Sequence, residues 1–324
     1  MNRDCKPLFY VLLFLSGATA IAAEWETVET QGEPYKRHEA AFIEFEDKFY
    51  LLGGRRVQPV SIYDPATGAW TAGAIPPVEV HHFQPVVFGD RIYFICAMTG
   101  PYPNETGLPQ VLTYAPKGDR WEFTHEIPES RRRGSAGAVV FNDKIYLACG
   151  IVRGHVGGFV NWFDEYDPTT GAWRTLPNAP RPRDHFQGAL LDGKLYAAGG
   201  RTTSKETNQT FELTVNEVDV YDFAKGKWTS LPDPLPTPRA GNSTMTLGRE
   251  IWVIGGESGK QKAAHDEVEA WHVDEVRWKT LSPLQRGRHG TGAFLWGNHV
   301  YTCSGCGNRG GSPELTSLER IIVE

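Results

Sequence analysis

Apolar residues in this chain come in short runs, each cut off by turn formers before a helical face could develop. The stretch from Arg183 to Trp228 shows the full pattern. An apolar run ends at Leu190-Leu191, Asp192-Gly193-Lys194 makes a turn, and Leu195-Tyr196-Ala197-Ala198 stops at Gly199-Gly200. A polar loop follows, then Val218-Asp219-Val220-Tyr221-Asp222, a turn through Gly226, and Trp228. Runs of this length with such punctuation predict four short strands. The unit recurs: Trp70, Trp121, Trp173, Trp228 and Trp278 are spaced 51, 52, 55 and 50 residues apart, a period that signals a repeat architecture.

The register of the repeat is tight. Counting from the second-strand aromatic (Tyr50, Tyr93, Tyr146, Tyr196, Trp252, Tyr301), position −5 is Phe45, Phe88, Phe141, Leu191, Leu247 and Trp296. Every first hairpin therefore has the same length, as a radial array of equivalent sheets requires. Position +3 opens Gly53-Gly54, Cys96-Ala97, Cys149-Gly150, Gly199-Gly200, Gly255-Gly256 and Ser304-Gly305, where glycine permits close approach or unusual dihedrals. The sixth unit stops after Leu318-Glu319-Arg320-Ile321-Ile322 without a fourth strand, while Glu24-Trp25-Glu26-Thr27-Val28 carries an orphan strand and Trp. The N-terminal segment is expected to complete the last sheet and remove its open edge.

A diglycine with a later Tyr and Trp at a period near 50 residues resembles the Kelch repeat. The resemblance implies an all-β, six-bladed Kelch β-propeller. Its blades fall at about 31–75, 76–128, 129–180, 181–236, 237–284 and 285–324, the last completed by 24–30.

Composition narrows the context. A net charge of −6 gives no support for nucleic-acid binding. Residues 1–23 differ from the rest: Arg3 and Lys6 precede an apolar run from Leu8 to Leu15 and a small-residue stretch ending Ala20-Ile21-Ala22-Ala23. That is the pattern of a cleavable secretory signal. It implies a secreted or periplasmic mature protein over 24–324, with no membrane span after cleavage.

Strand parity puts the loop after each diglycine and the loop entering each inner strand on one face. The opposite face carries repetitive turns such as Asp64-Pro65 and Asp167-Pro168. On the irregular face, position −13 reads Arg37, Val80, Arg133, Arg183, Arg239 and Arg288, with Arg55, Arg153, Arg201 and Arg309 in the following loops. Such a field suits a carboxylate or sulfate. Arg183 and Arg239 have acids in their own blades and are expected to form scaffold pairs. Arg37 and Arg288 are the stronger ligand candidates.

Histidines occupy the same face. Position −12 is His38, His81, Gly134, Asp184, Ala240 and His289, and position −11 adds Glu39, His82 and His185. His289, His38 and His81 come from adjacent blades and could hold a metal with Glu39, act as acid/base groups, or line a wet channel. The site is expected to be metal-free and without a cofactor. Cys96 and Cys149 read as buried thiols, and Cys303 and Cys306 leave a local disulfide open. Asn104-Glu-Thr and Asn208-Gln-Thr are glycosylation sequons in rim loops. The loop Gly307-Asn308-Arg309-Gly310-Gly311 could offer N–H groups to an anion.

Among Kelch proteins, a short exported six-blade chain looks like the periplasmic sialic-acid mutarotases. Gly255-Gly256-Glu257, followed by a polar loop to His265-Asp266-Glu267-Val268, is similar to a segment bearing a functional glutamate in that family. The accompanying arginine is not preserved, its stretch holding Lys260, Lys262 and His265. Two readings follow. One is recognition of an anionic sugar, with mutarotase or epimerase chemistry by Glu257, His38 or His289. The other is a non-catalytic module that grips an acidic peptide or glycan. Oligomeric state is not encoded in any of these signals.

Overall fold

The computed structural model describes residues 23–323, so all but the last residue of the expected export signal lies outside the described residues. Six four-stranded antiparallel sheets are arranged as blades, and none of the described helices is long and apolar enough to cross a membrane. Blade 1 is typical, with strands Ala40–Phe45, Lys48–Gly53, Ser61–Asp64 and Ala69–Ala72. Each inner hairpin closes over two residues, from Phe45↔Lys48 round to Trp296↔His299. In three of these turns both residues take positive φ: Glu46-Asp47, Asn142-Asp143 and Asp192-Gly193. That geometry matches the twist of the paired strands.

The blades bury their apolar faces against one another. Ala41, Leu52 and Phe94 fill one seam, and Ala40, Phe42, Tyr301 and Cys303 fill the seam between the last blade and the first. The ring closes as the sequence predicts. Glu26 and Thr27 pair with Arg320 and Glu319, the Val28 N–H donates to Leu318 O at 2.8 Å, and Trp25 is 2% exposed.

Position +3 is left-handed in every blade, even where it is Cys96, Cys149 or Ser304. The reason is a seam between neighbours. A Cβ on Gly255 would lie 2.3 Å from Arg288 O. The next N–H, that of Gly256, donates to the same carbonyl at 2.8 Å. Gly200 does the same to Arg239 O, and Gly305 to Arg37 O.

The position −13 arginines serve this seam, Arg37 and Arg288, the stronger ligand candidates by sequence, as much as Arg183 and Arg239. Each donates to the position +3 carbonyl of its own blade: Arg37 to Gly53 O, Arg133 to Cys149 O, Arg183 to Gly199 O, Arg239 to Gly255 O and Arg288 to Ser304 O. Arg37, singled out for lacking an acid, instead satisfies Tyr35 O and Pro59 O. Arg288 is paired with Glu319, Arg133 with Asp164 and Arg183 with Asp219. Buried guanidiniums need hydrogen-bond partners, and backbone carbonyls supply most of them, although the Nε atoms of Arg183 and Arg288 have none among the described residues. Cys303 and Cys306 are free buried thiols rather than a disulfide, as are Cys96 and Cys149. Burial pushes the Cys303 thiol up to about 12.

Candidate functional site

The inner strands are entered through position −11, and this residue is left-handed in all six blades: Glu39, His82, Ser135, His185, Gly241 and Gly290, with φ between 52° and 66°. Neighbouring members are joined by backbone hydrogen bonds, including Ser135 N to His82 O at 2.7 Å and Gly241 N to His185 O at 2.6 Å. The kink turns their side chains to the axis, where they line a narrow void of about 30 Å³. Non-glycine residues rarely hold this conformation, and such sites cluster where geometry serves function.

Above the void, on the loop-bearing face, lies a cavity of about 650 Å³. From the sequence-predicted set it is lined by His38, Glu39, Arg55, Arg201, Glu257 and His289. Glu79, Pro101, Tyr102, His155, Thr210 and Phe211 join them. The expected trio His38, His81 and His289 does not converge. His38 Nδ1 meets Glu314 at 2.7 Å, and His289 Nε2 donates to Asn308 O and Gly310 O at 2.9 and 3.0 Å. His81 stands behind His82, with its Nε2 3.2 Å from Gly100 O.

Three other imidazoles meet instead. One nitrogen from each of His82, His155 and His185 lies within 4.8 Å of the others. Their ring centroids are 5.0, 4.8 and 4.9 Å apart. Buried carboxylates hold two of them: Glu105 Oε1 is 2.9 Å from His155 Nδ1, and Asp184 accepts from His185 Nδ1. Asp184 is itself fixed by the Thr203 N–H at 2.9 Å. Burial lowers His155 despite Glu105, and burial with neighbouring positive groups keeps His82 well below the usual imidazole range.

The cavity wall carries two ion pairs. Arg55 bonds Glu105 at 2.6 Å. Arg201 bonds Glu257 at 2.5 Å and lies over the Phe211 ring. Glu257 also accepts the Gly310 N–H at 2.7 Å. Burial works to raise its pKa, but His289, Arg201 and that N–H outweigh it, so the group is a carboxylate. Glu39 is likewise held at about 2: burial opposes ionisation, and surrounding imidazoles and Arg55 overcome it. On the rim, Arg309 donates to Gly259 O and leans on Phe211.

His155 and Glu105 were missed because both sit in insertions that break the repeat register. His155 is at the tip of the hairpin Ile151–Arg153/Gly157–Phe159, and Glu105 lies between Met98–Thr99 and Thr106–Gly107. The one available signal was the length of these two post-diglycine loops.

Fold and seams define a Kelch-type six-bladed β-propeller with a polar, histidine-bearing channel mouth. The Attractin/LZTR1 β-propeller family profile matches residues 18–263, and the chain belongs to that family. It is similar to Kelch-like protein terF of Aspergillus terreus, 28% identical over 303 residues, covering 87% of this chain and 64% of that protein. It is also similar to β-scruin of Limulus polyphemus, 27% identical over 63% of this chain and 22% of that one. Kelch-like protein 23 of Homo sapiens is 24% identical over 84% of this chain and 46% of its own length. The chain thus spans less than two thirds of these relatives. Among solved structures, that of YjhT superimposes with a TM-score of 0.75 at 17% identity, covering 89% of this chain and 95% of that one. At that identity the likeness is one of fold.

Proposed function

We propose that this propeller binds a carbohydrate in the cavity above its channel and, in the narrower form of the reading, interconverts the anomers of an acidic sugar in an exported compartment. The observation that carries the proposal is the convergence of carboxylate, imidazole and aromatic side chains on one cavity of about 650 Å³. That volume suits a small ligand. Tyr102 and Phe211 offer flat faces to sugar C–H groups, while Glu39, Glu257 and His38 suit hydroxyls. With the position −13 arginines taken up in the seams, the cation for a sugar carboxylate is Arg55, whose side chain keeps 15% exposure.

Anomer exchange needs a base to take the anomeric O–H proton and an acid to protonate the ring oxygen as the ring C–O bond breaks; reclosure reverses both transfers. Glu257 is a carboxylate and fits the base. His38, oriented through Glu314, fits the acid, and His289 lies 3.4 Å from Glu257 as the alternative. The test is calorimetry and anomer exchange by NMR with acidic and neutral sugars. Arg55→Ala is expected to weaken an acidic sugar by about 1.5–3 kcal/mol, the scale of a charge-assisted hydrogen bond, and to spare its neutral analogue. Glu257→Gln is expected to abolish exchange while binding persists. Exchange unaffected by Glu257→Gln would refute the catalytic form, and absence of any sugar binding would refute both.

A second reading, recognition of a protein or glycan partner, is favoured by one observation. Val57, Tyr102, Phe159 and Leu213 are 52%, 52%, 37% and 37% exposed, and each sits in a post-diglycine loop around the mouth.

A further inference from the structure

We infer that His82, His155 and His185 form a binding site for one divalent transition-metal ion at the junction of the cavity and the channel. The inference is independent of which ligand fills the cavity.

It rests on which ring nitrogens are free. Gly100 O can only accept, so His81, 3.2 Å away through Nε2, carries its proton there and presents a lone pair at Nδ1. His82 Nδ1, 2.6 Å from that lone pair, must then donate to it. The carboxylates of Glu105 and Asp184 accept from Nδ1 of His155 and His185. In all three rings the proton is therefore drawn to Nδ1, and Nε2 is left with a lone pair. His185 is 4% exposed, and its Nε2 has no hydrogen-bond partner among the described residues. His82 Nε2 has only the Arg55 guanidinium beside it, at 3.5 Å, and lone pairs gathered this closely repel unless something positive lies between them.

Two features make that something a metal. Histidine ligands of metal sites usually donate their other N–H to a carboxylate, carbonyl or similar acceptor, and here each ring has such a partner. Three imidazoles with a further position open is the donor set of zinc and its neighbours in the first transition row. Ligand nitrogens on one such ion lie roughly 3.3 Å apart, given bonds of about 2.0–2.1 Å, so nitrogens that lie within 4.8 Å of one another must draw together by up to about 1.5 Å on binding. Glu39 Oε2 is 3.5 Å from His82 Nε2, placed to ligate or to hold a bound water.

Arg55 is the opposing group, with its Nη2 3.5 Å from His82 Nε2. It is neutralised by Glu105. Counting Glu39, Asp184 and Glu257 against Arg201, the neighbourhood keeps an excess of negative charge that suits a dication. An ion held there would turn its open position to the cavity, which His155 and Glu39 line.

The experiment uses untagged full-length mature protein, stripped with chelator and titrated with Zn²⁺ alone, then with Co²⁺ followed by its visible d–d bands. One ion per chain is expected, bound below micromolar, with Co²⁺ absorption typical of four or five ligands. His155→Ala, on a loop outside the blades, should weaken binding at least 100-fold with its melting temperature in metal-free buffer preserved. Glu105→Gln, a positioning change, should weaken it roughly 10–100-fold. If the alanine variant is misfolded, anomalous diffraction from wild-type crystals grown with Zn²⁺ decides the matter: an ion bonded to the three Nε2 atoms supports the site. An ion bound elsewhere, substoichiometric uptake, or affinity unchanged by His155→Ala would overturn it. No sugar is present, so these outcomes are separate from the carbohydrate reading.

Discussion

Arg183 and Arg55 are the same residue type on the same face of the propeller, and the molecule uses them in opposite ways. Arg183 occupies a position of the repeat. Its side chain is fully buried, with Ala197 O, Gly199 O and Asp219 as partners, and four other blades repeat its contact to the diglycine carbonyl. Arg55 belongs to a loop that differs from blade to blade, and it reaches across to Glu105 of the next blade at the edge of the cavity. A residue recurring in register meets the same backbone carbonyl each time, so recurrence selects for scaffold. A site needs chemistry at one place on the ring, and the blade-specific insertions supply it.

The largest test of this contrast is Arg183→Ala. It removes the partner of Asp219 Oδ2, leaving Arg181 and Ser230 on Oδ1, and strips the Ala197, Gly199 and Glu217 carbonyls of their donor; breaking a buried pair typically costs about 3–5 kcal/mol. Arg55→Ala leaves Glu105 bonded to both the N–H and Nδ1 of His155, so its stability loss should be clearly smaller. Urea unfolding of the two variants measures the difference, and equal losses would break the comparison.

A second test asks whether position in the repeat matters more than position in the chain. Trp25 comes from the far end of the sequence yet takes the place of the missing sixth repeat tryptophan. It is more buried than Trp70 or Trp228 and donates its indole N–H to Ser282 O at 3.0 Å. Trp25→Ala should therefore destabilise the whole ring by about 3–4 kcal/mol, as large truncations in packed cores do. A melting curve in which only a minor early transition moves would show that the closing segment merely rests on the last blade.

The same contrast explains what the sequence revealed. Blade number and hairpin length were legible because the unit recurs six times, and ring closure because the one unit without a fourth strand stood out against that repetition. The reach of Arg37 was not: with no acid nearby it looked free, because acceptors that are backbone carbonyls leave no trace in residue type. For the histidines, position in the repeat gave the right ring and the wrong members. His82 and His185 are turned inward by left-handed backbone at position −11, whereas at position −12 His38 is held by Glu314 of the last blade, His81 by Gly100 O and His289 by Asn308 O and Gly310 O. His155 and Glu105 come from post-diglycine loops whose length and sequence differ from blade to blade, so no alignment of the repeats could place them.

The smallest expected effect lies on the opposite face, where repeat turns should act on stability alone. Asp167 Oδ1 accepts the Thr169 N–H at 2.9 Å, and Asp64 makes the equivalent bond to Ala66. That N–H, aided by Lys144, holds the Asp167 carboxyl at about 2 against a usual 3.8. A carboxyl depressed in the folded state contributes stability that is fully present above its unfolded pKa and is lost as pH falls through its folded one. The contribution of Asp167 should thus be complete above about pH 4 and gone by about pH 2. Because the group is open to solvent, the effect should be small. Asp167→Asn keeps an oxygen for the Thr169 N–H but has no proton to gain. Its melting temperature should sit slightly below that of the native protein at pH 5, with the gap closing as pH approaches 2, and ligand binding at the mouth should not change. Parallel melting curves across that range would remove the charge from the account of the turn. A change in binding would mean that the two faces are coupled through the blades.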